Sequence, residues 1–324
     1  MANILFRVEY IIREEHIQPK VMQLVLEAYV LGIISALLSM IFFGATNILY
    51  KKMSEDISVM DIMFTRMWVS LPIAYIFGVL ASGSLTFTIP TTALFPLILS
   101  MIIGIVLGDG MYFLSQERIG VSRAFPIAMS YPLLVYFLAA IFLGEPVILQ
   151  RVIGAIIIVA GVIMIARAEQ DEEKIDKRWN EGDMRTGIIL AFLVFFCWAA
   201  SDVIFQYGLE GVGAAEANFY RVFAASLILV PVFLLTLKGE RTFPSKRATA
   251  YAMLIGIVAL GLSLITYSFG VKYVGVTVTA LIIASAPMFT APLSALFLNE
   301  DVNRNVAVGT ILTIIGVLLV VLIF

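Results

Sequence analysis

Two stripes of side chains carry the chemistry of this sequence. Phe43, Asn47 and Tyr50 lie in "FGATNILY", and Trp198, Asp202 and Phe205 lie in "WAASDVIF". Steps of four and three residues put each trio on one face of a helix. An aromatic–polar–aromatic face can sandwich the apolar part of a small molecule, and the Asp202 carboxylate can hold an amine. Asp202 is also a candidate coupling site, at which substrate and proton would compete. Asp109, Tyr112 and Gln116 in "GDGMYFLSQ" repeat three- and four-residue steps, as do Ser263, Thr266 and Tyr267 in "LSLITYSFG", while Ser130, Tyr131 and Ser285 place hydroxyls beside Pro132 and Pro287.

Arg66 in "MFTRMW" and Arg221 in "NFYRVF" lie inside apolar runs. A guanidinium there must be paired or hydrated. The two are expected to serve as gating or ion-pair elements, with Asp202 one available partner. Since Asn47 stands opposite Asp202 in the duplicated pattern, and Leu264 opposite Asp109, the cavity they would form is chemically lopsided.

The elements that must position these residues follow from composition and repetition. Of 324 residues, 61% are hydrophobic and 14% charged, with mean hydropathy +1.02, far from soluble usage. At about 20 apolar residues per crossing, spans fall near 29–50, 57–79, 93–114, 124–143, 148–167, 186–207, 215–237, 249–270, 276–298 and 304–324. The runs are continuously apolar, without the alternation of a barrel wall. The expected fold is therefore an all-α polytopic membrane protein of ten helices.

A constant offset of 155 residues relates Gly32 to Gly187, Arg66 to Arg221, Tyr112 to Tyr267, Gly120 to Gly275, Pro132 to Pro287, Glu145 to Glu300, Gly154 to Gly309 and Gly161 to Gly316. The chain is thus an internal duplication. Residues 1–28 read as a tail or interfacial segment without a cleavable signal pattern. Residues 29–168 form the first copy, 169–186 a charged linker, and 187–324 the second copy. Five spans per copy make the second enter the membrane from the opposite side, the inverted-repeat plan of secondary transporters. The paired glycines, seven apart on one face, allow close helix approach, and Glu145 and Glu300 read as helix-end caps.

Cys197 and His16 stand alone, so no cysteine cluster or internal disulfide is expected. No HExxH, GxSxG or Walker A pattern occurs. No cofactor or metal, and no nucleic acid, is expected, and the chain does not read as an enzyme. A small-molecule substrate and the lipid bilayer are the expected partners, with a proton as the candidate coupling ion and monomer or homodimer both open.

Each half resembles an EamA domain of the drug/metabolite transporter superfamily. The resemblance rests on the arginine of the second helix in each copy, on "MSYPLLVYFLAAIFLGEP" and "SAPMFTAPLSALFLNED", and on the closing glycine helix, and it covers residues 29 to 324. It implies a ten-helix inverted-repeat transporter whose central cavity is lined mainly by the first, third and fourth helices of each half. The related small multidrug resistance proteins carry a proton-coupling glutamate in the first helix, where this chain has Phe43 or Trp198, with Asp202 one turn on.

These features point to a secondary transporter in the plasma membrane, moving small polar or amphipathic metabolites, amino acids among them, by alternating access and in the export direction. The alternatives are a multidrug or cationic-compound exporter and a non-transporting membrane protein. Fourteen Lys and Arg lie on the odd-numbered connections and five on the other side. The positive-inside rule then puts both termini outside, whereas family analogy puts them inside.

Overall fold

The computed structural model describes residues 19–51, 57–172, 181–236, 244–289 and 304–322. His16, the tail before Pro19, the centre of the linker, Glu300 and most of "SAPMFTAPLSALFLNED" lie outside these residues, as does the side chain of Asn47.

The described residues are helical throughout the spans: α1 (Pro19–Lys51), α2 (Val59–Ser82), α3 (Thr91–Met101, Ile102–Asp109 and Gly110–Ile119 in one rod), α4 (Val121–Ala128), α5 (Tyr131–Phe142), α6 (Leu149–Glu172), α7 (Glu181–Gly208), α8 (Ala214–Thr236), α9 (Lys246–Ile255, Gly256–Ser263 and Leu264–Ala284) and α10 (Arg304–Val321). Eight of the apolar runs are long enough to cross a bilayer, and Leu149–Ile165 adds a shorter one. Their outward faces carry exposed apolar side chains such as Leu80, Phe95, Ile153 and Phe196, the surface that lipid would cover.

The run Lys246–Phe289 has 44 residues, about 66 Å at 1.5 Å per residue, twice a hydrocarbon core. It turns at Gly275, where φ is 82° and ψ 164°. Gly120, its counterpart in the first copy, turns the chain between α3 and α4 at φ 78° and ψ 160°. Only glycine enters this region without strain, so one backbone solution is used twice.

The prolines are likewise used twice. The helix breaks at Ser130 (φ −79°, ψ −5°) and at Ser285 (φ −77°, ψ 4°), two residues before Pro132 and Pro287. A proline ring pushes away the carbonyl one turn back and offers no N–H. Ser130 Oγ donates to Ile127 O at 2.6 Å and Ser285 Oγ to Ile282 O at 2.5 Å, each adding to the bond that the same carbonyl accepts from the serine's own N–H and so fixing the hydroxyl on the broken turn.

The closest packing runs between copies. The principal pairs are α6 with α10, α1 with α9, α2 with α8, and α3 with α7. At the α6–α10 seam the four glycines face one another: a Cβ on Gly161 would lie 2.6 Å from Gly309 O, and one on Gly316 2.8 Å from Gly154 O. Across α1 and α9, Ser39 Oγ donates to Ser263 O at 2.9 Å and Ser263 Oγ to Ser39 O at 3.0 Å.

Candidate functional site

Between the copies lies a cavity of about 140 Å³. α1 contributes Ser39, Phe43, Thr46 and Tyr50. α3 contributes Gly104, Ile105, Asp109, Tyr112 and Phe113, and α7 contributes Trp198, Ser201 and Asp202. α9 adds Leu260, Ser263, Leu264 and Tyr267, Tyr131 comes from the start of α5, and Arg66 and Arg221 reach in from α2 and α8.

Two segments of this wall are π-helical, Ile102–Asp109 in α3 and Gly256–Ser263 in α9. They coincide within one residue under the 155-residue offset. Each widens its helix by one residue per turn and re-aims the side chains that follow, Asp109 in the first copy and Tyr267 in the second.

Asp109 and Asp202 have different surroundings. Arg66 Nη2 donates to Asp109 Oδ2 at 2.7 Å, and Trp198 Nε1 donates to Asp109 Oδ1 at 3.0 Å and to Gly104 O at 3.1 Å. Phe113 lies under the Arg66 guanidinium, 4.8 Å from ring centroid to Cζ. Asp109 therefore ends in a closed ion pair whose second oxygen anchors a tryptophan of the other copy. Asp202, 8% exposed, accepts from Tyr267 OH at 2.5 Å through Oδ1, with the Tyr131 hydroxyl also beside it. Its Oδ2 has no hydrogen-bond partner among the described residues.

Arg221 is 2% exposed and lies 3.8 Å over the Phe205 ring. Phe205 is fully buried behind the wall rather than in it, stacked on Tyr267 with centroids 5.6 Å apart. Among the described residues the ion pair of this site is Arg66 with Asp109, and Arg221 and Asp202 form none. Trp198, Tyr112 and Tyr131 pack edge and face together at centroid distances of 5.0 and 5.6 Å, making an aromatic corner on the wall.

The chain matches the EamA-like transporter family twice, over residues 30–167 and 185–322. It belongs to that family. Among relatives of this EamA-like chain, a protein of Archaeoglobus fulgidus named as an uncharacterized transporter is 22% identical over 292 residues, which is 90% of this chain and 98% of that protein. An S-adenosylmethionine uptake transporter of Rickettsia conorii is 28% identical over 131 residues, 40% of this chain and 43% of that protein. A solved crystal structure superposes with a TM-score of 0.70 at 17% identity, covering 91% of this chain and 97% of the other; that likeness concerns the fold. Family and apolar helices together make this an integral multi-pass membrane protein.

The EamA-like chain places its sequence candidates unevenly. Phe43, Tyr50, Asp109, Tyr112, Trp198, Asp202, Tyr267, Arg66 and Arg221 line the cavity. Phe205 lies behind it, and Ser130 and Ser285 are not in its lining because their hydroxyls are spent on the broken turns. The described α1 residues that reach the cavity are Ser39, Phe43, Thr46 and Tyr50, in steps of four, three and four, and Ser39 and Thr46 were not among the sequence candidates; the Asn47 side chain lies outside the described residues. Ser201, which donates to Ser100 O at 2.7 Å, and Phe113 were also missed.

Glu145 does not cap α6, which starts four residues later. Its Oε1 accepts from Gln206 Nε2 at 2.9 Å, and Gln206 Oε1 accepts from Val276 N at 2.5 Å. The turn at Gly275 strips Val276 of a helical acceptor, and Gln206 supplies one. Both ends of one amide thus tie α7 to the turn after α5 and to the corner of α9.

Proposed function

We propose that this EamA-like chain is a secondary carrier that moves small polar or amphipathic metabolites bearing an amine, amino acids among them, through the cavity between its copies. The observation that carries the reading is Asp202: a buried carboxylate with one oxygen fixed by Tyr267 and the other open, in an aromatic-walled cavity. The aromatic rings take the apolar part of the substrate and the open oxygen takes its amine.

Alternating access follows from two inverted five-helix copies, residues 29–168 and 187–324, rocking about the shared site. The charge distribution favours the linker side as cytoplasmic. Export is the direction proposed. The Rickettsia relatives, named for uptake of S-adenosylmethionine, favour uptake as a second reading, and that compound also carries an amino-acid headgroup. Asp202 is the proposed coupling site, where proton and amine exclude one another.

Counterflow in proteoliposomes tests the proposal. Vesicles loaded with mixed unlabelled amino acids are expected to accumulate a labelled one, and Asp202→Ala vesicles are expected not to. Folded wild-type protein without counterflow of any amino acid or S-adenosylmethionine would overturn the substrate class. A pH dependence unchanged in Asp202→Asn would remove Asp202 as the coupling site.

A further inference from the structure

The cavity holds two arginines, and among the described residues only one of them is ion-paired. Arg66 is closed onto Asp109. Arg221 is equally buried, yet its Nε and Nη1 have no hydrogen-bond partner and no carboxylate oxygen lies within ion-pair distance of it among the described residues. A buried guanidinium left in this state is costly unless something else completes it.

The reason it is not closed is visible in the packing. Arg221 lies flat on Phe205, Phe205 stacks on Tyr267, and the Tyr267 hydroxyl holds Asp202. The two aromatic rings act as a spacer that keeps the arginine and the aspartate apart while fixing both. In the first copy the position equivalent to Tyr267 is Tyr112, and the carboxylate stands three residues before it on the same helix, at Asp109, so Arg66 pairs with it. In the second copy that position is Leu264, and Arg221 has nothing to collapse onto.

We propose that Arg221 is the anion subsite of the cavity and that, with Asp202, it reads an α-amino-acid headgroup: the substrate carboxylate on Arg221 and the substrate ammonium on Asp202 Oδ2. This deepens the carrier reading above and rests on it. Charge favours a carboxylate over a phosphate. Two aspartates and two arginines among the lining residues leave no net charge, so a zwitterionic headgroup enters neutrally, whereas a phosphate dianion would face the open Asp202 oxygen with its charge uncompensated. A guanidinium suits a planar carboxylate, to which it can donate two parallel bonds.

The test is equilibrium binding to purified full-length protein, followed by quenching of intrinsic tryptophan fluorescence. The probes are the common L-amino acids and S-adenosylmethionine, each paired with its decarboxylated amine and, for the amino acids, its methyl ester. The expected result is at least one free amino acid or S-adenosylmethionine that binds about ten- to hundredfold more tightly than its amine or ester, the range of one charge-assisted contact. Arg221→Gln should erase that preference and Arg221→Lys should keep part of it.

Amines or esters binding as well as the parent compounds would overturn the Arg221 subsite. If those amines also show counterflow, the carrier reading stands without it. Absence of binding by every probe with a free carboxylate overturns the subsite too, and absence of all counterflow overturns the carrier reading with it. The comparison among ligands needs only the wild-type protein, so a poorly folding Arg221 variant cannot mask the outcome.

Discussion

The closed ion pair of the first copy can be dissected through its own counterpart in the second. Asp109→Leu installs the residue that position 264 already carries. It leaves Arg66, with 4% of its side chain exposed and Nε already unpartnered, without the one ion-pair contact it has among the described residues. Breaking one side of a buried pair costs about 3–5 kcal/mol. Asp109 retains 13% side-chain exposure, which places the expected loss near the lower end, about 3 kcal/mol. Arg66→Met should cost somewhat more, because it also removes the contact over Phe113, about 0.5–2 kcal/mol. The double variant replaces both charges with apolar groups of similar size. Trp198 keeps the Gly104 carbonyl as an acceptor, so no donor is orphaned, and the double variant should be within about 1 kcal/mol of the parent. Reversible unfolding in mixed micelles, titrated with a denaturing detergent, measures all four corners. A double variant whose cost equals the sum of the two singles would refute the reasoning.

Other perturbations have defined outcomes. Tyr267→Phe leaves Asp202 Oδ1 unbonded, a loss of about 1–3 kcal/mol, and should weaken apparent affinity in counterflow about tenfold or more while the protein stays monodisperse on size exclusion. Gly161→Leu drives a side chain into the Gly309 carbonyl across the α6–α10 seam and should destabilise by about 1–3 kcal/mol or more, whereas Ile156→Leu on the exposed face should leave the thermal midpoint unmoved. Gly120→Ala and Gly275→Ala, at positive φ, should each cost about 1–3 kcal/mol, with midpoints lowered alike. With Cys197 replaced by Ser, a single cysteine at Asn180 should react with an impermeant maleimide only in inverted vesicles; labelling of intact cells would reverse the orientation.

The large-scale plan was readable because it is written in repeated quantities. A fixed offset, apolar run lengths and intramembrane charges survive any detail of packing, and they gave the duplication, the all-α class and most of the polar wall. What escaped depends on contacts that no single stripe encodes. The π-helical segments carry no residue signature of their own, so the re-aiming of Asp109 and Tyr267 was invisible. Thr46 lines the cavity from α1 without having stood out in the sequence, because periodicity alone does not resolve a rotation of one residue. Phe205 matched its stripe yet lies behind the wall, because Arg221 and Tyr267 occupy both sides of its ring. Ser130, Ser285 and Glu145 looked like ligands or caps only until their actual partners, two carbonyls of the broken turns and one distant amide, came into view.

The amide of Gln206 has a consequence for how the segments it touches hold together. It joins three segments by donating to Glu145 and accepting from Val276, an uncharged, two-handed clasp. The residue 155 positions earlier is Lys51, which has three donors and no acceptor, so the sequence does not repeat this two-handed amide in the first copy. The duplication therefore does not extend to this clasp, which belongs to the second copy's sequence alone. Because the amide itself carries no charge, salt has nothing in it to screen, and the tie among α7, the turn after α5 and the corner of α9 should hold equally at low and high ionic strength.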